Sequence, residues 1–209
     1  MAAHTEELDD VYGAKSPEET RAIYNQWADS YDADNLSRGF RLPSLAAGML
    51  ARFLGQTNGP ILDAGCGTGL VSEALKLMGY GPITGCDLSP DMLAAARKTG
   101  AYSELHEVDM GQPMPFPKGA FTGFVCVGSF GPGHAPPVSL EHLAHVTRPR
   151  GYGVFNLIEA TYQEQGFPAI MEGLSKSGRW QIVQTSEPFL PFLLGEPDLW
   201  SRLYVVRMN

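Results

Sequence analysis

The densest chemical signal in the chain is Ile61-Leu62-Asp63-Ala64-Gly65-Cys66-Gly67-Thr68-Gly69, a short apolar run that reaches an acidic residue and then a glycine-rich turn. Glycines at 65, 67 and 69 let the backbone turn tightly and approach a ligand with no Cβ in the way, and the helix expected after them offers free N–H groups. The spacing is GxGxG, not the GxGxxG of dinucleotide folds, and Asp63 stands just before it. A carboxylate there repels a pyrophosphate and can hold an ammonium group, directly or through water, so the expected ligand is cationic at that end. The same argument disfavours the competing enzyme class, an NAD-dependent dehydrogenase.

Two further apolar runs close on acidic residues. In Thr84-Gly85-Cys86-Asp87-Leu88-Ser89, Asp87 ends a second expected strand, where a carboxylate grips ribose hydroxyls through charge-assisted hydrogen bonds. Ser89 is suited to cap the helix opening at Pro90. In His106-Glu107-Val108-Asp109-Met110, Asp109 can accept the exocyclic amine of an adenine while Leu88 and Met110 flank its ring. Three such strand ends in succession make one crevice at the carboxyl edge of a sheet. After a fourth apolar run comes the loop Gly128-Ser129-Phe130-Gly131-Pro132-Gly133-His134. His134 is the candidate general base, with an ordinary imidazole pKa of ~6.5; a histidine on a surface loop is the other reading. Tyr24, Trp27, Tyr31, Phe40, Phe130, Tyr162 and Phe167 are candidates for an apolar acceptor pocket, although Tyr24 and Trp27 also suit a buried helix face.

These residues need a scaffold, and the periodicity supplies one. Residues 1–15 carry four carboxylates without periodicity and read as a loose tail. Ser16-Pro17-Glu18-Glu19 is a capping box with proline at the first helical position, and Ile23, Tyr24, Trp27, Ala28 and Tyr31 follow as one helical face over a lid segment reaching Leu36. A second helix is expected from Pro43 to Leu54, with Leu45, Met49, Leu50 and Phe53 inward. From Gly59 onward short apolar runs alternate with amphipathic stretches, the texture of βαβ units. Strands are expected at 61–64, 83–87, 103–108, 121–127, 153–158, 180–185 and 201–207, and helices at 70–78, 90–98, 138–146 and 168–176. The Pro/Gly-rich connection EPFLPFLLGEP leaves no room for a crossover helix, so the last two strands should form an antiparallel hairpin at one edge.

Composition bounds the rest. With 15 Lys+Arg against 23 Asp+Glu the formal net charge is −8, which argues against a nucleic-acid-binding surface. Length and 44% hydrophobic content suit a single domain over 1–209, with tail and lid in 1–40 and a core in 41–209. Cys66, Cys86 and Cys126 form no CxxC pair, so neither a disulfide framework nor a zinc site is indicated, and a cytoplasmic location is expected. The acidic N-terminus lacks the apolar stretch of a signal peptide, and no run approaches the ~18 apolar residues of a membrane span.

Over Gly59 to Ile158 the chain resembles the class I S-adenosylmethionine-dependent methyltransferases. LDAGCGTG resembles their glycine motif, TGCDLSPDML the ribose-binding strand and helix start, VDMGQPMPFPKGAF the adenine segment, and LAHVTRPRGYGVFNL the start of strand 5, usually RVLKPGG. YNQWADSYD resembles the YDxWAxxYD segment that folds over the cofactor, and FGPGHAPP is similar to a segment of the methyltransferase-like group encoded in the Williams-Beuren syndrome region. The resemblance implies an α/β, Rossmann-like sheet of seven mostly parallel strands, order 3-2-1-4-5-7-6 with strand 7 antiparallel, helices on both faces and an N-terminal helical lid. It implies S-adenosyl-L-methionine as cofactor, S-adenosyl-L-homocysteine as product, and a small-molecule acceptor rather than nucleic acid or membrane. The implied cofactor-binding set is Tyr24, Trp27, Tyr31, Asp63, Gly65, Cys66, Gly67, Gly69, Asp87, Leu88, Asp109, Met110 and Val127, with no metal. Two positions depart from the pattern: the usual Phe-Asp opening strand 4 is Phe121-Thr122, and the usual Gly-Gly before strand 5 is Gly151-Tyr152-Gly153. These departures keep open a non-catalytic cofactor-binding module.

Overall fold

The computed structural model describes residues 6–55, 59–131, 133–194 and 199–209. Strands β1 (Ile61–Ala64), β2 (Ile83–Asp87), β3 (Glu104–Glu107), β4 (Phe121–Cys126), β5 (Thr147–Ile158), β6 (Trp180–Thr185) and β7 (Ser201–Met208) form one sheet in the order β3-β2-β1-β4-β5-β7-β6. Strands β1 to β5 pair in parallel, and β7 runs antiparallel to both β5 and β6, as the poor connection before it requires. Every residue of β1 and β4 is buried, because a parallel sheet is covered on both faces and its central strands meet no water.

Alternation along each strand divides the core in two. Leu62, Phe124 and Phe155 point to one face, while Ile61, Val125 and Val154 point to the other. The first face is covered by α7 (Ser139–Val146) and α9 (Phe167–Lys176) through Leu140, Leu143, Phe167 and Met171. The second is covered by α4 (Leu42–Leu54) and α5 (Leu70–Leu77) through Leu42, Ala46, Leu50, Val71 and Leu75, while α6 (Pro90–Thr99) packs against β2 and β3. A short helix, α8 (Glu159–Tyr162), follows β5. On α4 the expected inward face is corrected. Leu42, Ala46, Leu50 and Leu54 are buried, whereas Leu45 is exposed and Met49 and Phe53 are half-buried. Two ladders of residues four apart lie side by side on this helix, and the one containing the smaller alanine faces the sheet.

The N-terminal segment differs most from expectation. What the composition presents as a loose tail contains α1 (Glu6–Gly13), with Val11 wholly buried; residues 1–5 of that tail lie outside the described residues. The lid is two helices, α2 (Pro17–Trp27) and α3 (Tyr31–Ser37), because the chain turns where the Ser30 N–H donates to the Trp27 carbonyl. Ser16 caps α2 as expected, its Oγ accepting from the Glu19 N–H at 3.2 Å. Glu19 returns its carboxylate to the Lys15 N–H at 2.8 Å, one residue upstream of the cap. Both departures from the family pattern have structural answers. Thr122 Oγ1 donates to the Pro60 carbonyl at 3.0 Å, fastening the start of β4, and Arg150 at φ 64 occupies the left-handed region that favours glycine.

Candidate active site

The carboxyl ends of β1 to β4 open on a cavity of about 340 Å³. Its floor is the glycine turn, where the Gly65 and Cys66 N–H groups both donate to the Cys86 carbonyl, at 2.8 and 3.0 Å, and tie the turn to β2. A Cβ on Gly65, which has φ 67, would run into Ser129 Oγ. Gly67, at φ 52, faces open cavity, and no protein atom lies within 4 Å of where its Cβ would be. The Asp87 carboxylate stands between turn and helix. Its Oδ2 accepts from the Gly67 N–H at 2.8 Å and its Oδ1 from the Ser89 N–H at 2.9 Å. Burial pushes the Asp87 carboxyl above its ordinary pKa, while these backbone donors pull it back. Asp109 Oδ1 accepts from the Gly111 N–H at 2.8 Å, and Leu88 and Met110 supply apolar wall beside the two carboxylates.

The opposite wall is the lid, tied down by side chains. Tyr24 OH and His134 Nε2 are 2.8 Å apart, Thr20 Oγ1 donates to the Gly133 carbonyl at 2.5 Å, and Thr68 Oγ1 donates to Asp32 Oδ1 at 2.5 Å. Ser89 Oγ donates to Asn25 Oδ1 at 2.6 Å, and the Arg21 guanidinium pairs with Glu107 at 2.8 Å. Burial pushes the Tyr24 and Tyr31 phenols well up, so both stay protonated near neutral pH. With Tyr24 donating, His134 Nε2 is the acceptor, a tautomer assigned from the hydrogen bond.

Behind the lid a smaller pouch of about 60 Å³ continues the cavity, sharing Tyr24, Tyr31, Phe40, Gly128 and His134 with it. Trp27 stacks on Tyr24 with centroids 6.2 Å apart and meets the Tyr31 ring edge-on at 4.8 Å, while Phe40 stacks on Phe192 at 4.6 Å. The segment carrying Phe192 is held by main chain. The Arg41 N–H donates to the Pro191 carbonyl at 3.0 Å, and the Leu193 and Leu194 N–H groups donate to the Arg38 carbonyl at 3.1 and 3.0 Å.

Of the residues the sequence proposes, Tyr24, Tyr31, Gly65, Cys66, Gly67, Asp87, Leu88, Asp109, Met110, Val127 and His134 all line this one cavity. Three do not. Asp63 is 1% exposed and sealed beneath the turn, its Oδ2 accepting from Ser72 Oγ at 2.7 Å and Tyr102 OH at 2.8 Å. Burial holds its carboxyl up, at about 6, and nothing places it against a ligand ammonium. Gly69 lies under the first turn of α5, where its carbonyl accepts from the Glu73 N–H. Trp27 is 2% exposed, lines only the pouch, and its indole N–H donates to Asp34 Oδ2 at 2.8 Å. Two expected acceptor aromatics are also elsewhere, since Tyr162 stacks on Tyr204 and Phe167 is buried in the core. Conversely Tyr12, Asn35, Phe192 and Leu199 line the pouch unforeseen. Tyr12 sits in the supposed tail, and the last two in a connection whose composition shows only that it is not a helix.

A family profile described as a methyltransferase domain matches residues 61–151. Human methyltransferase-like protein 27 is 35% identical over 169 residues, which cover 76% of this chain and 67% of that protein. The chain belongs to the class I S-adenosylmethionine-dependent methyltransferases. Burkholderia thailandensis 1,6-didemethyltoxoflavin-N1-methyltransferase, solved with 1,6-didemethyltoxoflavin and S-adenosylhomocysteine, superposes with a TM-score of 0.64 at 18% identity, over 93% of this chain and 91% of that one. The yeast 18S rRNA (guanine(1575)-N(7))-methyltransferase is 38% identical over 69 residues, covering 33% of this chain and 25% of its own length. The methyltransferase cavity fits S-adenosylmethionine on its own evidence. The missing Cβ of Gly67 leaves room at the turn, the Asp87 carboxylate lines the cavity, and Leu88 and Met110 add apolar surface to it. Among the described residues no helix is long and apolar enough to cross a membrane.

Proposed function

We propose that this methyltransferase acts on a small organic acceptor in the cytoplasm, by in-line displacement. The observation that carries the reading is the aromatic pouch, which opens onto the cofactor cavity at Tyr24 and His134. When bound, the cofactor supplies an electrophilic methyl group on a positively charged sulfur. In our reading Asp87 holds the ribose hydroxyls, Leu88 and Met110 flank the adenine, Asp109 accepts its exocyclic amine, and Gly65, Cys66, Gly67 and Val127 pass close to the amino-acid end. Asp63 acts from beneath by bracing the turn, without contact to the ligand. The residues' remaining work is alignment and proton management. The phenol of Tyr24 donates to His134 Nε2, so a proton lost by the acceptor to the phenol oxygen passes to the imidazole.

The rRNA relative makes nucleic acid the competing acceptor. A net charge of −8 and a pouch with no Asp, Glu, Lys or Arg among its described lining residues support the small molecule. The test is transfer of labelled methyl groups from S-adenosylmethionine into a metabolite extract and, separately, into total RNA. Label is expected in the small-molecule fraction; label in RNA overturns the acceptor class. Label in neither fraction, with cofactor affinity intact, points to a non-catalytic module. His134→Ala is expected to lower kcat by ~10²-fold while leaving S-adenosylhomocysteine affinity unchanged by calorimetry.

A further inference from the structure

We infer that the pouch takes an uncharged single ring bearing an N–H or O–H group, and that it rejects both carboxylates and ammonium groups. The inference rests on the small-molecule reading above and narrows it to a chemical class. Among the described residues lining the pouch there is no Asp, Glu, Lys or Arg. Its walls are π faces and aliphatic groups: Trp27, Tyr31, Phe130, Phe192, Ile158 and Leu199. An ion entering such a space loses its water and meets no counter-charge among the described residues, whereas a flat neutral ring keeps dispersion contact on both faces. About 60 Å³ of free volume suits one ring, with the remainder of a larger acceptor in the adjoining cavity.

Among the described lining residues the polar side chains include Tyr12, Tyr24, Tyr31, Asn35, His134 and Asn156, and the Tyr24–His134 pair sets how the ring lies. Asn156 is spent on the fold, its Oδ1 accepting from the Gly128 N–H and its Nδ2 donating to Ser201 Oγ. Asn35 is 1% exposed and gives one N–H to the Tyr31 carbonyl at 2.7 Å. At the mouth the Tyr24 phenol donates to His134 Nε2, and its oxygen can accept from a ligand. A ring with a donor fits against that phenol oxygen, stacked on Trp27 and Tyr31.

The test uses the full chain loaded with S-adenosylhomocysteine and three matched probes: phenol, benzoate and benzylammonium. Their binding is read by saturation-transfer NMR, and the loading itself by calorimetry. Phenol is expected to bind at least tenfold more tightly than either ion. Leu199→Trp, which fills the pouch from a loop, should abolish phenol binding with S-adenosylhomocysteine affinity retained. Either ion binding as well as phenol, phenol failing to bind, or phenol surviving Leu199→Trp overturns the inference. The charge series in the unmodified protein decides even if the variant misfolds. Failure of S-adenosylhomocysteine to bind overturns the functional reading itself, and is seen separately in the calorimetry.

Discussion

The cavity wall made by β1, β2 and β3 takes its shape from main chain: two positive-φ glycines, N–H groups shared with the Cys86 carbonyl, and a carboxylate capping its own turn. The facing wall, from α1 to α3 and the connection before β7, takes its shape from rings and from side-chain contacts to distant loops. A backbone wall has few alternatives, because adding one carbon meets either protein, as at Gly65, or the cavity, as at Gly67. A wall of rings can repack, so its substitutions should tune binding where those of the first wall abolish it.

The sharpest way to break this contrast is Gly67→Val. The branched side chain enters cavity space and sits at φ 52, so S-adenosylhomocysteine affinity should fall by at least about 100-fold while the protein still folds, losing roughly 1–2 kcal/mol. Calorimetry and urea unfolding check both halves, and near-normal affinity would make the backbone wall as forgiving as the ring wall.

Next in size is the buried acid beneath the turn. The ordinary aspartate pKa is 3.8, and burial raises that of Asp63 to about 6, so the folded protein keeps a proton that the unfolded chain has already lost. The stabilisation is complete below about pH 4 and is lost as pH rises through about 6, roughly 2 to 3 kcal/mol in all. Asp63→Asn should remove this decline. Urea denaturation of both proteins between pH 4 and 7 is the measurement, and parallel profiles would refute it.

On the ring wall, the effects should be smaller and confined to the lid. Amides from Ile23 to Tyr31 are expected to gain hydrogen-exchange protection when S-adenosylhomocysteine is added, because polar ties, rather than a continuous core, hold α2 and α3 over the cavity. Equal protection in both states would make these helices permanent core. Smallest is Thr68→Val, which removes the hydroxyl held by Asp32 and should cost lid protection about 0.5 to 1.5 kcal/mol.

The same contrast explains what could be read in the chain. The wall made by β1, β2 and β3 is local in sequence: the residues from Gly65 to Gly67, Asp87 with Leu88, and Asp109 with Met110 each sit where a strand ends, so spacing alone brings them to one edge. Asp63 is the instructive exception there. It stands one residue before the strand ends, and alternation turns it away from the cavity into the Ser72 and Tyr102 hydroxyls. The pouch is not local. Tyr12, Asn35 and Phe192 meet through tertiary packing, and no period or motif in the residues around them signals it. The strand order followed from the resemblance and the poor final connection, whereas α1 was hidden because its charged residues mask the contact of Val11.

The connection before β7 is pinned to α3 and α4 through carbonyl and N–H groups of Arg38, Arg41, Pro191, Leu193 and Leu194, with Arg41 Nε adding a bond to the Leu190 carbonyl. Hydrogen bonds of that kind are indifferent to most side-chain changes. In evolutionary terms residues 190–194 are a cartridge: mutation at Phe192 can reshape the pouch without moving the chain that bears it, and without touching the glycine turn. A lineage carrying this fold can therefore reshape the pouch through one surface connection while the glycine turn and Asp87 stay fixed.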